Sequence, residues 1–176
     1  MTRPLRIQFP DAWYHVMNRG RRSEKVFFDR DDYLAFIQVM IESTKMWNMR
    51  ISAYCLMPNH YHLLVQTPRA NLSAVVGWAQ TTYSVRFNRR HRRSGHLYQG
   101  RFKAHLVDAD EYARQLIKYI HLNPVRPKDK RKPGPADRKR ELEAYRWSSH
   151  LYYAGRVRRR GPDWLCLDWR SYFGKT

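Results

Sequence analysis

Two-residue and 3.6-residue hydrophobic periods alternate along this chain in the order β-α-β-β-α-β, with a further helix behind. Few folds accommodate that order. Trp13 to Val16 reads as a first strand that ends at the Asn18-Arg19-Gly20 turn signal. Asp31 and Asp32 place negative charge at the start of a helix with an apolar stripe at Tyr33, Phe36, Ile37, Met40 and Ile41. Arg50 to Leu56 and His60 to Thr67 are two strands separated by Met57-Pro58-Asn59. Asn71 is placed to cap a second helix, with Leu72, Val75, Val76, Ala79 and Tyr83 on its inner side. Gly95 to Phe102 leads into a fourth strand that continues from Lys103 to Val107. A third helix starts at Asp108 or Asp110 and ends near Asn123, because Pro124 follows. The order predicts an α+β domain: a ferredoxin-like, split βαβ antiparallel sheet with helices.

The 176 residues suffice for one domain with a sizeable core. Residues 1–125 are read as that domain, 126–140 as a basic mobile loop, and 141–176 as a C-terminal extension that docks on it. The loop reading rests on composition: Arg126 to Arg140 holds eight basic residues, two acids and three prolines. Tyr145 to Tyr153 looks amphipathic, and the Trp164 to Phe173 tail is expected to pack or pair.

Charge narrows the partners. Thirty-four Lys and Arg stand against 15 Asp and Glu, a formal charge of +19. Such an excess predicts binding to a polyanion. Twelve Tyr, six Trp and seven Phe add rings on which unpaired bases can stack. Between Arg86 and Lys103 there are seven cations and no acid, whereas ordinary surfaces intersperse the two signs. Arg3, Arg86, Arg89, Arg90, Arg92, Arg93, Arg101, Lys103 and Arg126 are the candidate DNA contacts. Cys55 and Cys166 form no CxxC pair or disulfide framework. The first ten residues lack the apolar run of a signal peptide, and no stretch approaches the ~20 apolar residues that cross a bilayer. The expectation is a soluble, cytoplasmic protein with no membrane partner.

Two clusters of residue types suggest chemistry. His60 and His62, two positions apart on a strand, point to one face and can hold one metal ion. Tyr119 and Asn123, four apart, share one helix face. On a helical projection Tyr119 falls roughly 60° to one side of Leu116 with Asn123 between them, so both lie on the rim of the buried face. Each motif has a plainer reading: a hydrogen-bonded strand histidine, a core aromatic, an asparagine capping a helix before Pro124. Taken together they give two imidazoles, a third ligand and a hydroxyl nucleophile for a phosphodiester. Zinc fits poorly without a thiolate pair. Imidazoles with a carboxamide suit Mg²⁺ or Mn²⁺. His121 is turned away from this face, and His15, His91, His96, His105 and His150 are read as structural or phosphate-contacting.

These stretches, in this order, resemble the single-tyrosine HUH transposases of the insertion-sequence type, in particular the branch associated with repetitive extragenic palindromes. The resemblance is carried by WYHVMNRG at Trp13–Gly20, AYCLMPNHYHLLVQTP at Ala53–Pro68, FNRRHRRSGHLYQGRFK at Phe87–Lys103 and YIHLNPVRP at Tyr119–Pro127, with RWSSH at Arg146–His150 as a further element. It implies that His60 and His62 are the HUH metal ligands, Tyr119 the nucleophile and Asn123 the third ligand. It also implies single-stranded or hairpin DNA, from palindromic repeats, cleaved beside a short guide tetranucleotide by a monomer or homodimer. One departure is visible. Relatives often continue past the Asn-Pro-Val-Arg element with an apolar segment, where this chain has a basic, proline-rich one. A catalytically idle nucleic-acid-binding protein and a phosphodiesterase that uses water are the competing readings.

Overall fold

The computed structural model describes residues 6–107, 110–126, 134–156 and 161–173. Its elements run β1 (Ala12–Arg19), α1 (Arg30–Trp47), β2 (Arg50–Met57), β3 (His60–Thr67), α2 (Leu72–Arg90), β4 (Lys103–Val107) and α3 (Asp110–His121). A 3-10 turn, Asn123–Val125, follows α3, and two short helices, α4 (Pro135–Ala144) and α5 (His150–Tyr153), come after it. The four strands form one antiparallel sheet in the order β2-β3-β1-β4. This is the split βαβ arrangement: each helix crossover leaves room for a strand from the other half.

The register explains why β2 and β3 read as nearly continuous apolar runs. His62 pairs with Met17 and Cys55, Met17 with Lys103, and His15 with His105. Directly opposed side chains share a face, so His60, His62, Leu64, His15, Met17, Lys103, His105 and Cys55 lie on one side. Tyr61, Leu63, Val65, Tyr14 and Val16 lie on the other, in the larger core with α1 and α2. The first face is covered by α3, through Ala113, Leu116, Ile117 and Ile120. With helices on both sides, β2 and β3 are buried along nearly their whole length, and their period-2 alternation of polarity is weak.

The turn before β3 is held from three directions. Gly20 N donates to Asn59 O, Val26 N and Phe27 N donate to Pro58 O, and Asn59 Nδ2 donates to Ser23 O. Gly20 is required there, because a Cβ on it would lie 2.1 Å from the carbonyl oxygen of Glu24. His60 therefore starts from a fixed point.

Several local expectations need correction. Asp31 and Asp32 do lie in the first turn of α1, and Asp29, which the sequence reading did not single out, is its cap, accepting from the backbone N–H of both. Asn71 occupies the N-cap position of α2 but its side chain makes no capping bond. Gly95 to Phe102 is irregular, touching the sheet through Arg21 N to Leu97 O and Gln99 N to Arg19 O, and the strand is only Lys103–Val107. Within 126–140, residues 127–133 lie outside the described part, and Pro135 opens the helix α4. Proline at the first helical position loses no hydrogen bond, so composition there was a poor guide. The segment before α5 runs along β2: Leu56 N donates to Trp147 O, Tyr54 N to Ser149 Oγ, and Tyr145 OH to Leu56 O. The C-terminal stretch both pairs and packs, with Cys166 N on Ile51 O and Trp169 edge-on to Trp13.

Candidate active site

His62 is buried at the centre of the α3-facing side of the sheet, 5% exposed. Its Nδ1 lies 2.9 Å from Nε2 of His15 on the neighbouring strand, and the two rings stack at 5.1 Å. His60, half-buried at the mouth, has its Nδ1 2.7 Å from Asn59 Oδ1, and its ring stands at 88° to that of His62. In both histidines Nδ1 is engaged inside the protein, and that contact sets the ring orientation. Burial pushes the His62 pKa down to about 3, with the charges of His15, His60 and Arg126 adding to it. Burial likewise lowers His15 to about 4, with His105 contributing. Both rings are neutral at pH 7, the form in which an imidazole nitrogen can bind a cation.

Tyr119 reaches this pair from the last full turn of α3. Its ring stands edge-on to His62 with centroids 5.5 Å apart, and edge-on to His15 at 6.1 Å. Helix and strand meet here because Ile117 and Ile120, both fully buried, anchor α3 on the sheet and leave Tyr119 at the rim. Asn123 lies in the 3-10 turn just past the helix, 8% exposed, and its Nδ2 donates to Tyr119 O at 2.9 Å. It therefore caps α3. The cap uses the amide nitrogen, and the carboxamide oxygen is the atom that could serve a cation. The two readings of Asn123 are compatible.

A cleft of about 300 Å³ opens beside the histidines, with Asn18, Arg19, Gln99 and Lys103 also on its walls. Among the described residues no three His, Cys, Asp or Glu side chains converge as a metal site. Any cation here would rest on His60, His62 and a neutral oxygen such as that of Asn123, a donor set that fits a metal carried with a phosphate.

His15, read from the sequence as structural or phosphate-contacting, lies beside the site. It bonds His62 directly. The clue lay in the strand order: in a split βαβ sheet β1 sits between β3 and β4, so a histidine midway along β1 must neighbour both. His105, opposite it, has its ring 6.3 Å away. His121 is remote as expected: its Nε2 lies 2.7 Å from Ser149 Oγ, and complete burial, with His150 contributing, lowers its pKa to about 3.

The basic run finds acidic partners elsewhere in the chain. Arg86 pairs with Glu42 at 2.9 Å, Arg93 with Glu24 at 2.9 Å, and Arg90 with Asp29, Asp31 and Asp32 at 2.7–3.1 Å. His91 Nε2 also meets Asp32, at 2.8 Å. The acids absent from the run are supplied by α1 and by the loop before it: α2 packs along α1, which brings Arg86 to Glu42 and Arg90 to the acidic N-terminus of α1. Arg89, Arg92 and Arg101 are exposed, as is Lys103 at the cleft. Arg126 stacks over the ring of Tyr119, its Cζ 4.5 Å from the centroid. Arg3 lies outside the described residues.

No helix among the described residues is long and apolar enough to cross a membrane. Over 85 residues the chain is 29% identical to a Haemophilus influenzae protein named as a REP-associated tyrosine transposase, a match covering 42% of this chain and 48% of that one. The chain thus spans about half the length of the curated relative it matches. The fold superposes on the structure of a REP-associated tyrosine transposase bound to a REP hairpin with a TM-score of 0.66 and 17% identity, covering 94% of this chain and 92% of that one. A Deinococcus radiodurans structure described as a transposase superposes more loosely, at TM-score 0.48 with 17% identity over 68% of this chain and 95% of that one. The family described as "Transposase IS200 like" matches residues 8–123, the stretch that carries β1 to β4, α3, both histidines, Tyr119 and Asn123, and the chain belongs to that family.

Proposed function

We propose that the protein cleaves and rejoins single-stranded or hairpin DNA through a covalent tyrosine intermediate. The observation that carries this reading is the meeting of Tyr119 with His62 across the interface of α3 and the sheet, at 5.5 Å and edge-on. A phenol that only filled the core would not need two neutral imidazoles with fixed ring orientation beside it. The family, and the hairpin bound to the similar structure, supply the substrate class.

The chemistry is a phosphoryl transfer. The Tyr119 oxygen attacks phosphorus in line, a Tyr119 O–P bond forms, and the P–O3′ bond breaks. The phenolic proton is lost and the departing 3′ oxygen gains one, which leaves a 5′-phosphotyrosine and a free 3′-hydroxyl. Attack by a 3′-hydroxyl on that linkage reverses the step, so the bond energy is conserved for rejoining. His60, His62 and Asn123 are the residues that would hold Mg²⁺ or Mn²⁺. Such an ion, when bound, would polarise the nonbridging oxygens and offset the charge that develops on them. His15 fixes the tautomer and angle of His62. Lys103, Arg19 and Gln99, which line the cleft beside the histidines, would face the strand next to the scissile phosphate.

The test uses 3′-labelled hairpin DNA with Mg²⁺ or Mn²⁺. The parent protein gives a slow-migrating, SDS-resistant species that carries the 3′ fragment, and Tyr119→Phe binds the DNA without forming it. Cleavage by the Phe variant would instead favour a water nucleophile. Binding without any cleavage by the parent would favour an idle binder.

A further inference from the structure

Three contacts tie Tyr119, Asn123 and Arg126 to one another. Asn123 Nδ2 donates to Tyr119 O at 2.9 Å, Arg126 N donates to Asn123 O at 3.3 Å, and the Arg126 guanidinium covers the Tyr119 ring at 4.5 Å. Between the last two, Pro124 has a fixed φ and Val125 is buried, 5% exposed. Arg126 itself is exposed, and among the described residues no carboxylate is paired with it. Its seat on the ring is therefore what orders it. On the other side, the ring meets His62 and His15 edge-on at 88° and 76°. A tyrosine at the rim of a core has a solvent side and could otherwise swing between rotamers. Here that side is covered by a cation, an arrangement that the quadrupole of the ring favours.

We propose that Arg126 is a positioning residue for Tyr119: the guanidinium clamps the phenol against the His62–His15 pair and holds it in the single orientation from which it attacks. The proposal rests on the reading of Tyr119 as nucleophile. It differs from a phosphate-contact role for Arg126 in what each requires. A phosphate contact adds affinity, whereas a clamp on the nucleophile adds rate at saturating DNA and little affinity.

Three full-length proteins decide the matter: the parent, Arg126→Lys and Arg126→Gln. Single-turnover adduct formation at saturating hairpin DNA should slow roughly 10- to 100-fold in Arg126→Gln, the scale expected when a reacting group is misplaced by about an ångström. Arg126→Lys, which keeps the cation but not the planar face, should recover part of the loss. Affinity, measured in the Tyr119→Phe background, should change by no more than about twofold. Independently of activity, 3-fluorotyrosine at position 119 should give one sharp ¹⁹F resonance in the parent and a shifted, broadened or doubled one in Arg126→Gln. An unchanged resonance overturns the clamp. So does weaker binding with a lower salt slope and an unchanged rate at saturation. If the parent forms no adduct, the nucleophile reading fails, and the ¹⁹F spectra still decide whether Arg126 orders the ring.

Discussion

Replacing Asp32 by alanine should destabilise this protein by about 3 kcal/mol, because the carboxylate is buried and ties three elements together. Asp32 is 1% exposed. It accepts from Phe28 N at 2.8 Å, from Arg90 Nη1 at 2.7 Å and from His91 Nε2 at 2.8 Å. Removal leaves the Phe28 N–H without its acceptor, a cost of about 1–3 kcal/mol. It also takes a negative charge from the first turn of α1, which adds about 0.3–1 kcal/mol. Breaking a buried pair can cost about 3–5 kcal/mol, and the low end applies because Arg90 keeps Asp29 and Asp31 at the surface. For a chain of this size the change lowers Tm by roughly 6–12 °C. Asp32→Asn should fall between, since its Oδ1 can still accept from Phe28 while its amide nitrogen faces Arg90. Thermal and urea denaturation followed by circular dichroism measure both variants. A loss below about 1 kcal/mol for Asp32→Ala would refute the claim that this network joins α1 to α2.

Arg90→Gln should lower Tm and leave the salt dependence of DNA binding unchanged, whereas Arg89→Gln with Arg92→Gln should leave Tm unchanged and reduce the slope of log K against log salt by up to about 1.4; the opposite pattern in a fluorescence-anisotropy titration would restore Arg90 as a phosphate contact. Chelation by EDTA, or His60→Ala with His62→Ala, should abolish cleavage while most hairpin affinity survives, and full cleavage in chelator would contradict the metal reading. The folded-state pKa values of His62 and His121 are depressed below the unfolded value, so their contribution is fully present above pH ~6.5 and is lost as pH falls towards 3. Between pH 6.5 and 5 each should remove about 2 kcal/mol. Urea midpoints at pH 7 and pH 5 test this, and His121→Gln should flatten the profile.

The order of elements along the chain was legible because it depends on local periodicity, which survives in each segment. The strand β3 lies where the His60–Thr67 run places it, and β1 extends three residues beyond Val16. The pairing of His60 with His62 was legible for the same reason, since i and i+2 on a strand share a face whatever else the chain does. Contacts between segments distant in sequence were not. The acids that neutralise Arg86, Arg90 and Arg93 lie 44 to 69 positions away, and only the packing of α1 on α2 brings them together. A run of cations without acids was therefore a statement about the chain and not about the surface. His15 shows the converse case. Its neighbour His62 is 47 positions on, yet the sheet order already implied the contact. The helix α4 was hidden because its solvated face leaves no apolar period to read.

The central claim is that Tyr119 forms the bond to DNA, and mapping the covalent link tests it most directly. The SDS-resistant species formed with metal and hairpin DNA is digested with nuclease and trypsin, and the peptides are sequenced by tandem mass spectrometry. The account predicts a nucleotide 5′-phosphate on Tyr119, in the peptide that ends α3, and on no other side chain. A modification on Tyr112 or any other tyrosine, or efficient cleavage with no modified peptide, would contradict it.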